Sequence, residues 1–291
     1  MRRAATALLA ATLLCIPASA FAVTVNASFN AGNLFYGPDR SIDTETLPYG
    51  TYLYGGSAFV AANVTDDLSL TVGFERDHVL NNYAYLRFAH TGPVATIAVG
   101  PVLGVANDLS RWYYATPGIY SLVRVELGTL GYLSFSSISS GFLALDGVGD
   151  TNQSAYNAEI GSYGLGRVTS IYLDNRAFTT LTSDGRIEDS ATQYGLRINA
   201  FKKNVNYRLI LDFAYASLKR NYTAGETNRL HHVGTVLFTP TVQFDVGSLV
   251  TVGLGAENGL YTFGLDYLLG EFEADKYFFN AFADVTLRLG E

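Results

Sequence analysis

A single cysteine, Cys15, lies in an apolar stretch near the start of the chain. Once that stretch is removed there is no disulfide, no thiolate nucleophile and no cysteine-ligated metal. Lysine is scarce as well, at four residues, and charged side chains make up only 15% of the sequence against about 25% in average soluble proteins. Without Arg2 and Arg3 the chain carries 17 basic and 26 acidic residues, a net charge of −9. Binding to nucleic acid needs basic clusters that are missing here, so no nucleic-acid partner is expected. Beyond the first residues no run of about 18 apolar residues occurs, which excludes a later transmembrane helix. The four histidines, His78, His90, His231 and His232, form no HExxH array and no Asp-x-His or His-x-Ser pair. No enzyme, metal site or cofactor is therefore expected.

The beginning of the chain, "MRRAATALLAATLLCIPASAFA", has a basic start, an apolar run from Ala4 to Ile16, and small residues at Ala18, Ala20 and Ala22. This is the three-part pattern of a secretory signal, and it assigns residues 1–22 to a cleaved leader. A lipid on Cys15 would call for a small residue before it, and Leu14 is not one. Residues 23–291 form a single domain in this reading.

What the sequence does have is alternation. In "VTVNASFNA", Val23, Val25, Ala27, Phe29 and Ala31 alternate with Thr24, Asn26, Ser28 and Asn30. "DLSLTVGFE" sets Leu68, Leu70, Val72 and Phe74 against polar or small neighbours, and "TVLFTPTVQF" does the same with Leu237 as its one exception. The chain ends in "KYFFNAFADVTLRLGE", with Tyr277, Phe279, Ala281, Ala283, Val285, Leu287 and Leu289 in one row and Asn280, Asp284, Thr286 and Arg288 in the other. Extended chain sends successive side chains to opposite faces, so each segment is a strand with one greasy and one wet surface.

A hairpin from Gln193 to Tyr215 is predicted with a two-residue turn at Lys203 and Asn204, placing Lys202 opposite Val205. The phrases "GSYGLG" and "GLGAENG" lack the setting of a phosphate cradle and are assigned to turns. The acidic phrases "DGVGDTN" and "EFEAD" are assigned to solvated loops rather than to calcium sites. Helical periodicity is absent after the leader. Connections alternate in length, short near 65–67, 90–93, 128–131, 162–166, 203–204 and 245–248, and longer near 32–50, 76–81, 105–117, 141–153, 174–189 and 219–229.

Counting gives about fifteen strands, an odd number that cannot return both ends to one side. The doubtful stretch is Leu249 to Leu269, either a tight hairpin or one bent strand. Fourteen strands are expected, with twelve as the fallback, in an all-β, closed, antiparallel transmembrane barrel. Closure requires Val23–Ala31 to pair with Tyr277–Leu289, because an open sheet edge cannot stand in hydrocarbon.

The final strand, with Ala283, Val285, Leu287 and Leu289 ahead of Gly290 and Glu291, resembles the C-terminal targeting signal of bacterial outer-membrane β-barrel proteins. That family usually ends in an aromatic residue, and this chain does not. The resemblance is to porin-like members, and more weakly to OmpW-like ones. It implies an outer-membrane location with periplasmic termini. It also implies a lipid-bilayer environment, assembly through the barrel-assembly machinery acting on the last strand, and passage of small polar solutes or ions.

Residues expected to line the pore are Glu75, Arg87, Arg124, Glu126, Arg197, Arg208, Asp212, Asp284 and Arg288, all on the polar rows. Charges so placed set ion preference through the local field, or pair with each other into a plug. An aromatic girdle is expected from Tyr54, Trp112, Tyr113, Tyr207, Tyr215 and Tyr277, since rings with a polar tip favour the headgroup layer. Two alternatives stay open. An OmpW-like channel for small hydrophobic molecules would use inward Leu122, Phe201, Ile210 and Leu237, and a closed adhesive barrel would display 141–153 and 174–189.

Overall fold

A computed structural model describes residues 22–32, 53–76, 82–105, 115–142, 151–164, 169–181, 185–199, 207–224, 227–264 and 279–290. The predicted leader and most of the longer connections lie outside these residues. Fourteen strands are present: β1 Val23–Gly32, β2 Leu53–Asn63, β3 Leu68–Arg76, β4 Asn82–Thr91, β5 Ala95–Val105, β6 Ala115–Glu126 and β7 Gly131–Phe142. They continue as β8 Thr151–Ser162, β9 Thr169–Leu181, β10 Arg186–Asn199, β11 Tyr207–Ala224, β12 Thr227–Val246, β13 Val250–Gly264 and β14 Phe279–Leu289. Each strand pairs antiparallel with its chain neighbours, and β1 pairs with β14 to close the barrel. The closing register sets Val25 against Leu287 and Asn26 against Thr286, as the two alternating termini require. Tyr277, part of the expected closing strand, lies outside the described residues.

The described part of the doubtful stretch, up to Gly264, forms one strand, β13, with a bulge. Val236 faces Tyr261 while Leu237 faces Gly259, so Leu260 is the extra residue, and both Leu260 and Tyr261 are exposed side by side. A bulge adds one residue and kinks the strand, which is why the segment imitates a hairpin in the sequence. The same bulge adjoins Leu237, the exception in the alternation, which is 2% exposed on the inward face.

Three further expectations are corrected. Arg197 pairs with Asp212 and Asn199 with Ile210, a register two residues away from the predicted one. A slip of two keeps every side chain on its face, so alternation alone cannot detect it. The segments 174–189 and 219–229, expected as long links, are mostly strand, since β9 runs to Leu181, β10 starts at Arg186, and β11 and β12 reach Ala224 and Thr227. Of the phrases assigned to turns, "GLGAENG" is corrected, since it lies within β13, while "GSYGLG" begins in β8 at Gly161 and Ser162 and leaves the strand at Tyr163 and Gly164, in the connection to β9. Short connections do occur where predicted, as at 64–67, 92–94, 127–130 and 247–249. Two of these use glycine in the left-handed region, Gly128 at φ 63° and Gly247 at φ 69°.

Burial is inverted relative to a soluble sandwich. Ile160 and Ile171 are 64% and 67% exposed, and Phe74, Phe88, Ile97, Phe135 and Leu254 are exposed with them. By contrast Thr71, Ser140, Gln153 and Ser170 are buried. The polar rows form the concave side, because they make contacts between strands that are not neighbours: Tyr172 of β9 reaches Asp212 of β11, and Arg87 of β4 reaches Tyr120 of β6. Fourteen strands spaced about 4.8 Å apart and tilted by roughly 40° give a backbone diameter of about 28 Å, wide enough for a lumen if side chains leave it clear.

One point on the wall needs its own repair. Pro240 has no N–H. The Arg288 amide donates to the Leu249 carbonyl, so odd residues in this part of β13 turn their backbone groups to β14 and even residues turn theirs to β12. The Ala256 carbonyl therefore points at Pro240 and finds no donor there. The Asn258 side-chain amide supplies one, donating to the Ala256 carbonyl at 2.8 Å and to that of Phe238 at 3.0 Å.

Candidate functional site

The alternation of the strands and their registers bring all nine predicted charged residues to the inward face. Four of the inward arginines are paired with carboxylates. Arg124 Nε meets Glu126 at 2.6 Å and Arg197 Nε meets Asp212 at 3.1 Å. Arg176 meets Asp174 at 3.1 Å, and Arg208 reaches Asp245 at 3.7 Å. Arg124 and Glu126 share the Tyr163 hydroxyl, which donates to Glu126 at 2.7 Å and accepts from Arg124 at 2.8 Å. The other two predicted arginines are held by neutral groups: Arg87 donates to Thr71 and Tyr120, and Arg288 donates to Thr251.

Sequence reasoning missed the tyrosines of this face. Tyr85, Tyr132 and Tyr172 each sit directly across from a glycine of the adjacent strand, Gly73, Gly161 and Gly195. A Cβ on any of these glycines would collide with the ring opposite, so each ring lies flat on bare backbone. A ring laid against the wall does not project into the lumen. Packing an aromatic side chain over a strand glycine also covers backbone that would otherwise be left open.

Two of these rings are clamped on their other face by a guanidinium, Arg124 over Tyr132 at 3.8 Å and Arg197 over Tyr172 at 4.8 Å. Their hydroxyls donate to carboxylates, Tyr132 to Glu159 at 2.8 Å and Tyr172 to Asp212 at 2.9 Å. Glu159 is the direct cross-strand partner of Tyr172, so the two units join into one belt across β6 to β11. Gln193 donates to the Tyr172 hydroxyl at 3.1 Å and fixes the ring from β10.

This belt borders a cavity of about 460 Å³ whose lining includes Asp174, Arg197, Asp212, Thr241, Glu257 and Phe282. Glu257 accepts a hydrogen bond from Asn280 at 2.8 Å. Among inward side chains that are described, Glu75, Glu159, Asp189, Glu257 and Asp284 add to the four carboxylates in ion pairs. Only Arg87 and Arg288 add to the four paired arginines. Among the described inward side chains carboxylates thus outnumber arginines, and four of the six arginines are neutralised in ion pairs. No group of three or more metal-ligating side chains is found among the described residues.

Of the girdle residues, Tyr207 and Tyr215 face outward on β11, eight residues apart. At about 3.3 Å per residue and a tilt of roughly 40° they stand some 20 Å apart along the barrel axis, close to the height of an apolar band of about 25 Å. The side chain of Tyr54, and Trp112, Tyr113 and Tyr277 altogether, lie outside the described residues.

No family model and no curated protein sequence matches the chain. Solved structures similar to it are bacterial outer-membrane barrels. OmpT of Vibrio cholerae superposes with a TM-score of 0.45 at 11% identity, covering 92% of this chain and 96% of that one. An outer-membrane channel from Pseudomonas putida F1 gives 0.47 at 9% identity, with 93% and 96% covered. The translocator domain of the autotransporter NalP from Neisseria meningitidis gives 0.37 at 9% identity, with 100% and 95% covered. The likeness is one of barrel architecture.

Proposed function

We propose that the protein is an outer-membrane channel for passive diffusion of small polar solutes and ions. The observation that carries this reading is the flat seating of Tyr85, Tyr132 and Tyr172 on glycines, which keeps these three inward rings against the wall of a barrel about 28 Å across. Ion pairs between neighbouring strands act in the same way. Arg197 and Asp212 neutralise each other along the wall instead of reaching across to seal the bore.

In this reading the exposed apolar rows face lipid, and Tyr207 and Tyr215 mark the two edges of the hydrocarbon. The described ends of the barrel, Val23 and Leu289, lie opposite each other on the side of the short connections, which faces the periplasm. The last strand, β14, is the segment offered to the assembly machinery. The proposal includes no catalytic step. A loop-displaying adhesive barrel loses one of its two motivating segments, since 174–189 is mostly β9 and β10. For a hydrophobic-solute channel, inward Leu122, Ile210 and Leu237 are spread over β6, β11 and β12, and Thr239 and Thr241 stand beside the last two. Phe201 lies outside the described residues.

The test is purification, a gel comparing heated with unheated protein, and single-channel recording in planar bilayers. Stepwise conductance from a heat-modifiable barrel is expected. A folded, heat-modifiable barrel that never conducts would overturn the proposal.

A further inference from the structure

We infer that the lumen favours cations over anions and that Asp284 is the residue that sets this preference. The inference rests on the channel reading above and adds the charge class of the solute.

The inward carboxylates differ in what surrounds them. Glu126, Asp174, Asp212 and Asp245 each have an arginine within ion-pair distance, so their fields largely cancel at the position of a passing ion. Glu159 and Glu257 accept hydrogen bonds from the neutral Tyr132 hydroxyl and Asn280 amide. Asp284 has neither. Among the described residues it makes no ion pair and no side-chain hydrogen bond.

The position of Asp284 gives this charge reach. On one side its partner is Ser28 of β1, and on the other it is Gly253 of β13. Its carboxylate lies over Gly253, where any Cβ would occupy the same space. The next inward neighbours are uncharged: Phe282 and Thr286 flank it on β14, Asn26 donates to Thr286 at 2.8 Å, and Ser28 meets Ser57 at 2.8 Å. On the described β13–β14–β1–β2 wall the inward arginine is Arg288, four residues further along β14 and bonded to Thr251, whereas the arginines in ion pairs lie on β6 to β11. A unit charge about 7 Å from a hydrated ion shifts its energy by roughly one RT even in bulk-like water, attracting cations and repelling anions together.

The reversal potential in a KCl gradient tests this. The wild-type channel should pass K⁺ in preference to Cl⁻, and Asp284→Asn should lower the permeability ratio by about threefold or more. A second variant separates charge from folding. In a chain carrying Cys15→Ser and Asp284→Cys, the new thiol is the only one, and the folded pore can be modified in the bilayer. An anionic methanethiosulfonate should restore cation preference and a cationic one should reverse it. A pore that conducts but prefers anions, or whose ratio is unmoved by the variant and both reagents, would overturn the inference and leave the channel reading standing. Absence of any current would defeat the channel reading itself.

Discussion

The Tyr172 ring lies flat against Gly195, its direct partner on the neighbouring strand, and its hydroxyl reaches two strands over to Asp212 at 2.9 Å. Strand glycine is ordinarily a weakness, since it adds backbone entropy to the unfolded state and packs nothing. Here its lack of a side chain decides where a large ring can go. Gly195→Val should displace that ring into the lumen and break its bond to Asp212. Single-channel conductance should fall by about half or more, while the outward face, and hence membrane insertion, stays intact. Gly247→Ala, at an open turn with nothing near its Cβ, should leave conductance unchanged and only strain the turn.

Arg197 and Asp212 should show strong coupling. The Asp212 side chain is 11% exposed and Arg197 41%, so the pair is half-shielded and its energy lies between that of a surface pair and a buried one. Arg197→Met should cost about 1–3 kcal/mol, because among the described residues it leaves a buried carboxylate with the Tyr172 hydroxyl as its one remaining donor. The double variant Arg197→Met with Asp212→Leu should cost less than the two single changes summed. Reversible urea unfolding in lipid vesicles measures all three, and strict additivity would show that the pair is not coupled.

What could be read from the sequence follows from what lipid imposes. Within the bilayer every second residue must be apolar, so the assignment of Arg197, Asp212 and Asp284 to the wet face needed only parity. Parity is blind to a slip of two residues, and so the hairpin containing Arg197 was placed one pleat away from its true partner. It is also blind where lipid is absent. β11 and β12 are 18 and 20 residues long, well over the 9 to 11 or so needed to span, and their polar outer portions around Lys219 imitate a loop. The seating of Tyr172 could not be foreseen without register, because only the register puts Gly195 beneath it. Tyrosine composition pointed to the membrane edges, and several of the rings belong instead to the lumen wall.

The assignment of the apolar rows to lipid has its own test. Ile171 is 67% exposed, with Ile160 and Leu196 as its outward partners on either side. Ile171→Arg should destabilise the inserted barrel by about 2–4 kcal/mol if the residue lies near the bilayer midplane. Ser136→Arg, on an inward row of β7, should cost far less and change conductance instead. Unfolding from vesicles gives the first value and bilayer recording the second. In a water-soluble sandwich the order would be reversed, since an arginine at an exposed isoleucine would be tolerated.

Asn258 is an outward-facing polar residue on a wall that should be apolar, paired with Phe238 and Phe279. Composition offers no reason for it, but the backbone does. Pro240 leaves the Ala256 carbonyl without its ladder donor, and in hydrocarbon an unsatisfied carbonyl costs several kcal/mol because no water can replace the partner. The Asn258 amide fills that vacancy at 2.8 Å. Asn258→Leu, which makes the face greasier and so should help on hydrophobic grounds alone, is expected to destabilise the barrel by about 1–3 kcal/mol. Restoring the missing N–H by Pro240→Ala in the Asn258→Leu background should recover most of the loss. Urea midpoints for the two single variants and the double variant decide the matter: a rescue by Pro240→Ala ties the asparagine to the proline, and a stabilising Asn258→Leu would show that the carbonyl needs no such donor.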